Sequence, residues 1–268
     1  MNGRTIVITG SSSGIGYALA ELYLKNGDQV YGLARRTVGP SGLEAISCDL
    51  LSAESRAASV DALLSKGRVP EHLVLNAGFG IAGPVECNSL DEVRRQFEII
   101  YFANIDLIQR FLPSMREAAK RSGRSSKILF ISSAAAIFPI PYQAHYSAAK
   151  AAIASLARAL SFELKDSGIE VSALLPGDLS TGFTAQRQKT ESPALKYYPN
   201  YLRSIERMER DELGGKDASW LAAQAYHRLN RPMRKTWRIP GASYKSLYLL
   251  EKILPLRLVD YLLKKIYA

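Results

Sequence analysis

Six short, strongly apolar runs alternate with longer stretches whose apolar residues recur at helical spacing, and this alternation constrains the fold more than any other feature. Thr5–Thr9, Gln29–Leu33, Glu44–Cys48, His72–Leu75, Lys127–Ser132 and Glu170–Leu175 read as strands, with a seventh near Lys235–Ile239. Between them Ile15–Lys25, Ala53–Leu64, Leu90–Phe111 (continuing past Pro113), Tyr146–Lys165 and Asp217–Leu229 read as helices. Repeated strand–helix–strand units predict parallel pairing through crossover connections. A strand centre such as Ile128-Leu129-Phe130-Ile131 has no polar side to turn to water, so helices must cover both faces of the sheet. The expectation is a single α/β domain with a doubly wound parallel sheet.

Length supports this: 268 residues can bury one sizeable core, and no repeat, linker or low-complexity tract divides the chain. The irregular stretch is Pro176–Tyr201, with Pro193 and Pro199, and a loop of that length in a regular domain predicts a functional lid over about 177–215. Cys48 and Cys87 have no metal-ligand company and read as reduced thiols. No run approaches the roughly 18 apolar residues of a membrane span. Arg4–Thr9 is too short for a signal-peptide core, so the chain reads as unprocessed and cytoplasmic.

The formal net charge of +10 is unevenly placed, since residues 231–268 carry nine Lys and Arg against Glu251 and Asp260. No nucleic-acid-binding module accompanies the basic residues. A solvated face is the plain reading, and an anionic membrane surface or an acidic cofactor is the functional one. Within the segment 243–268, Leu256, Val259, Leu262, Leu263 and Ile266 recur at helical spacing with Arg257, Lys264 and Lys265 between them. Pro255 is expected to divide the segment into two short helices. Such a segment more commonly packs on its own domain or at a subunit interface than on a membrane, although a basic amphipathic helix suits both.

The turn Thr9-Gly10-Ser11-Ser12-Ser13-Gly14-Ile15-Gly16 falls where the first strand passes into the first helix. Gly10, Gly14 and Gly16 let the backbone approach a pyrophosphate, and the helix start that includes Ser12, Ser13 and Ile15 offers free N–H groups. At the end of the second strand, where an acidic residue would hold ribose hydroxyls, stand Arg35 and Arg36. A guanidinium grips a 2′-phosphate that a carboxylate would repel, so NADP(H) is the expected cofactor. Asp49 and Leu50 after the third strand are placed to meet the adenine, and Asn76-Ala77-Gly78 after the fourth lets the cofactor pass close to the sheet.

Tyr146 and Lys150 lie four residues apart in a helical stretch, and Ser133 lies thirteen residues upstream of Tyr146 at a strand end. An ammonium one turn from a phenol favours the phenolate, which predicts proton exchange by Tyr146 near neutral pH. His72, His145 and His227 have no companions for metal or triad chemistry.

From about Arg4 to Thr184 the chain resembles the short-chain dehydrogenase/reductase family, through Thr9-Gly10-x3-Gly14-x-Gly16, Asn76-Ala77-Gly78, Ser133, Tyr146-x3-Lys150 and Pro176-Gly177. The resemblance implies a Rossmann fold and reversible hydride transfer between a nicotinamide and a carbonyl or alcohol carbon. It makes Tyr146 the general acid/base, Lys150 the group that lowers its pKa and holds the nicotinamide ribose, and Ser133 the donor to the substrate oxygen. Pro176, Gly177 and Thr181 become contacts near the nicotinamide, and a homo-oligomer becomes the expected assembly. One position departs from the pattern. The family usually has an Asn thirteen residues before the proline of Phe111-Leu112-Pro113, helping to hold a water on the proton path from the lysine, and here that position is Ile100.

Phe183, Tyr197, Tyr198, Tyr201 and Met208 in the lid, with Ala134–Ala136 and Ile137-Phe138-Pro139 after Ser133, predict a hydrophobic carbonyl or alcohol substrate of steroid, retinoid or lipid type. Two other readings stay open: an NADP(H)-binding sensor or scaffold with little turnover, motivated by Ile100, and a 3-ketoacyl-type reductase.

Overall fold

A computed structural model describes residues 3–267, with the side chains of Leu263, Ile266 and Tyr267 outside the described set. In chain order the elements begin β1 (Thr5–Thr9), α1 (Gly14–Lys25), β2 (Gln29–Ala34), β3 (Glu44–Ser47), α2 (Ala53–Leu64) and β4 (His72–Leu75). They continue with β5 (Ile81–Ala82), α3 (Leu90–Phe97), α4 (Ala103–Ser122), β6 (Ser126–Ile131), α5 (Ala144–Glu163) and β7 (Ile169–Leu174). The remainder is β8 (Leu179–Ser180), β9 (Gln188–Lys189), α6 (Tyr201–Leu213), β10 (Lys216–Asp217), α7 (Ala218–Leu229), β11 (Trp237–Arg238), α8 (Ala242–Ile253) and α9 (Leu256–Tyr267).

The main sheet runs β3-β2-β1-β4-β6-β7-β11 with every pair parallel. Winding goes one way from β1 to β3 and the other way from β4 onward. The crevice outside the carboxyl ends of β1 and β4 is therefore the switch point where such sheets take ligands. The two-residue side-chain period sorts the core into two layers. Val7, Leu73, Leu75 and Phe130 face Phe111, Met115 and Ile153, while Ile6, Ile8, Val74 and Leu129 face Leu19, Tyr23 and Leu221. This is the single-domain Rossmann fold with both faces covered.

Helix starts are secured by side-chain caps where the chain provides them. Ser52 accepts from the Ser55 N–H at 3.0 Å, Asp217 from the Trp220 N–H at 2.7 Å, and Ser89 forms a reciprocal capping box with Glu92. Strand and helix ends differ from expectation by one or two residues, the ordinary fraying of termini. Two larger differences matter. The long helix expected from Leu90 is interrupted by a π-turn over Glu98–Phe102, and α4 then runs through Pro113 to Ser122. Bulky Ile99, Ile100, Tyr101 and Phe102 fill that turn, which widens the helix next to the site. The expected irregular lid also contains β8, β9 and a 3₁₀ turn over Pro193–Tyr197, and the helix α6 follows it. The tail forms two helices that meet at Pro255, as its spacing predicts.

Candidate active site

A cleft of about 1370 Å³ opens over the carboxyl ends of the central strands. Its nucleotide end is built mainly of backbone. Gly10 and Gly14 have positive φ angles of 68° and 54°, a conformation that side-chain-bearing residues rarely adopt. The Asn76 side chain donates to the Thr9 carbonyl at 3.0 Å, while Thr9 Oγ1 accepts from the Asn76 and Ala77 N–H groups at 2.9 and 3.1 Å. These bonds lock the turn after β1 to the turn after β4. Gly16 does not line the cleft; a Cβ there would stand 2.7 Å from Asn76 Nδ2 and closer still to the Gly10 carbonyl oxygen. Its role is close packing of helix on turn.

The other expected cofactor positions all line this cleft: Gly10, Ser12, Ser13, Gly14 and Ile15 at the turn, Arg35 and Arg36 after β2, Asp49 and Leu50 after β3, and Asn76, Ala77 and Gly78 after β4. Arg35 and Arg36 are exposed at the rim. Asp49 is partly committed elsewhere, since its carboxylate accepts from the Leu51 N–H at 3.0 Å. Thr181 comes from the lid to within 3.8 Å of where a Gly14 Cβ would be, so the lid crosses the glycine turn. A dinucleotide fits these residues: the glycines clear its path, and the first turn of α1 presents N–H groups with no helical partner.

Ser133, Tyr146 and Lys150 come together in the middle of the cleft, with Pro176 and Gly177 beside them. Ser133 closes β6 in extended conformation and its hydroxyl accepts from the Ala135 N–H at 3.1 Å. Tyr146 and Lys150 lie on the first turns of α5, which packs against the sheet through Ala149 and Ile153. Lys150 Nζ stands 5.6 Å from the centre of the Tyr146 ring and donates to the Ile131 carbonyl at 2.9 Å.

Burial opposes the expected shift of Tyr146 toward the phenolate. Burial raises the Tyr146 pKa well above its ordinary value, with the Ser133 hydroxyl opposing the rise, and Lys150 is not among the groups that shift it. Burial also pushes Lys150 down to about 8. Burial is the main cause of both shifts, and the Ser133 hydroxyl is the group that draws Tyr146 back toward the phenolate.

Ile100 is fully buried, and its side chain lies beside Gly78 and Lys150, 3.5 Å from where a Gly78 Cβ would be. Asn104, one turn on, donates its amide to the Ile100 carbonyl at 2.7 Å. The polar group absent at 100 is thus supplied to the same backbone carbonyl from 104. That carbonyl keeps a second lone pair, and the buried Asn104 Oδ1 has no protein partner.

The far end of the cleft is mainly apolar, with Phe138, Ile140 and Phe183 near Tyr146 and Leu247, Leu250 and Leu254 from the tail. The Phe183 ring centre lies 5.5 Å from that of Tyr146. Three contributors escaped the sequence reading. Arg187, its side chain fully buried, pairs with Glu212 and lies 3.7 Å from Glu209, tying β9 to α6. Thr184 donates to Glu212 at 2.6 Å, reinforcing the same tie. Tyr244 of α8 lies where a Gly177 side chain would be and donates to Asp178. An isolated Arg or Tyr in a polar stretch carries no sequence signal for such long-range pairing, whereas the helical spacing of tail leucines was visible without showing what they cover.

The sequence pattern described as short chain dehydrogenase matches residues 4–192. The chain is 32% identical to the 3-ketodihydrosphingosine reductase of Bacteroides thetaiotaomicron, with all of this chain and 99% of that protein covered. Among solved structures it is similar to a short-chain dehydrogenase from Streptomyces avermitilis, with TM-score 0.81, 27% identity and 94% and 93% of the two chains covered. It is also similar to the 3-ketoacyl-(acyl-carrier-protein) reductase of Brucella melitensis complexed with NADH, with TM-score 0.71, 26% identity and 89% and 96% covered. An oxidoreductase with a nicotinamide dinucleotide cofactor follows, and the chain belongs to the short-chain dehydrogenase/reductase family.

Proposed function

We propose that the chain is an NADPH-dependent reductase of a long-chain lipid ketone, with 3-ketodihydrosphingosine as the first candidate substrate. The observation that carries this reading is the continuity of the cleft from the glycine turn, past Tyr146, to an apolar end that draws on both lid and tail. NADPH, when bound, supplies the hydride that reduces the carbonyl carbon. Tyr146 donates its proton to the carbonyl oxygen, and the Ser133 hydroxyl donates a hydrogen bond to that oxygen as its charge grows. Lys150 holds the nicotinamide ribose and returns a proton toward Tyr146.

Arg35 and Arg36 at the rim support NADPH, because two guanidinium groups and no carboxylate follow β2. The full-length similarity to a 3-ketodihydrosphingosine reductase supports the lipid ketone. The likeness to a 3-ketoacyl reductase supports a second reading, in which the substrate is an acyl thioester.

NADPH consumption should be followed with 3-ketodihydrosphingosine, a steroid ketone and a 3-ketoacyl thioester, with cofactor binding measured separately. The expected result is turnover on the long-chain amino ketone and a kcat/KM for NADPH at least ~10-fold above that for NADH. Arg35→Asp should remove most of that preference, the loss of a charge-assisted contact. Preference for the thioester would move the assignment to the second reading. Binding without turnover across the panel would leave a nucleotide sensor, and equal use of both cofactors would overturn the NADPH preference.

A further inference from the structure

The tail helices have two faces, and only one belongs to the cleft. On α8, Tyr244, Leu247, Glu251 and Leu254 follow i, i+3, i+7, i+10 spacing and line the cleft, while on α9 Val259 and Leu262 do so. The opposite face of α8 carries Lys245, Leu249, Lys252 and Ile253, all exposed. On α9 the outward face carries Arg257, Tyr261 and Lys264, also exposed. Among the described residues, eight of the seventeen exposed large hydrophobic side chains fall between Leu247 and Leu262. Ile253 at 79% and Leu256 at 70% exposure are the most open of these, and they flank the Pro255 bend. Three of the eight, Leu247, Leu250 and Leu262, line the cleft, and the other five, Leu249, Ile253, Leu256, Leu258 and Tyr261, lie outside its lining.

We propose that the outer face of α8–α9 docks on the surface of an anionic lipid bilayer, which places the mouth of the cleft against the membrane. Apolar tips between long basic side chains suit the boundary of headgroups and acyl chains, where Leu and Ile enter and Lys and Arg reach back to the phosphates. Charge selects the occupant. Helices α8 and α9 carry Lys245, Lys252, Arg257, Lys264 and Lys265 against Asp260 and the cleft-lining Glu251, so a second copy meeting this face symmetrically would bring like charge onto like charge, whereas an anionic bilayer brings the opposite sign. Because the tail lines the cleft on its inner side, docking leaves a long-chain substrate a path from the bilayer along Leu250 and Leu254 toward Tyr146. This last step rests on the lipid-ketone reading; the docking itself does not.

The test is cosedimentation of the full chain with vesicles of phosphatidylcholine alone and of phosphatidylcholine mixed with phosphatidylglycerol. Binding should favour the mixed vesicles by at least ~10-fold and be released by high salt, a readout that needs no variant. The combined variant K252E/R257E/K264E should weaken it about 100-fold, and Ile253→Asp should weaken it at unchanged charge on the basic positions. Turnover on a soluble short-chain ketone without vesicles should stay unchanged in both variants, which also reports that they fold. Equal partition to both vesicle types, or none, overturns the proposal. So does a dimer in solution that the same charge reversals dissociate. Vesicle binding with no lipid-ketone reduction would leave the docking surface standing and remove the proposed substrate.

Discussion

The two ends of the cleft are made differently. At the nucleotide end, strand order and backbone turns do most of the shaping: Gly10, Gly14 and Gly16 give room, and Thr9 and Asn76 lock two strand ends together. At the substrate end, two-residue strands β5, β8, β9 and β10 leave the shaping to side chains such as Arg187, Glu212, Phe183 and Tyr244. The first end tolerates one class of ligand because its backbone is fixed by the sheet. The second can change its lining residue by residue without disturbing the seven-stranded core, which is how one fold accepts many substrates.

The contrast can be broken at four places. Tyr146→Phe, where the two ends meet, should lower kcat by about 10³-fold and leave the dissociation constant for the nicotinamide cofactor within a few-fold, since the hydroxyl acts on the reacting oxygen. Equal losses in binding and turnover would mean Tyr146 only packs. Arg187→Met strands Glu212 without its buried partner, at a cost of about 3 kcal/mol, and should raise KM for the carbonyl or alcohol substrate far more than for the nicotinamide cofactor. Chemical denaturation and two-substrate kinetics measure the two effects.

Gly16→Ala is the reverse experiment. The added methyl meets the Gly10 carbonyl and Asn76, so the protein should lose about 1–3 kcal/mol of stability and the loss in affinity should fall mostly on the nicotinamide cofactor. A variant that binds the cofactor normally would show that the glycine turn has slack the packing does not suggest. Ile100→Asn should change turnover by less than about 3-fold, because Asn104 already supplies an amide to the Ile100 carbonyl. A large gain measured at saturating substrates would instead show that the aliphatic side chain impairs the proton relay.

The same contrast explains what was legible in the amino-acid order. The sheet and the glycine turn are written locally, in apolar runs and in residues a few positions apart, so strands and site positions such as Ser133, Tyr146 and Lys150 were readable. The π-turn was not, because no helix-breaking residue lies within Glu98–Phe102 to mark it. For Tyr146, spacing shows the nearby ammonium, while only the folded chain shows the burial that opposes it. Arg187 and Glu212 are twenty-five residues apart, and Tyr244 and Asp178 sixty-six, separations at which a charge or a ring carries no mark of its partner.

Tyr244 resting on Gly177 gives the last segment of the chain a hold on the turn after β7. Relatives that keep the whole sheet but diverge after about 240 should differ in what they reduce before they differ in how.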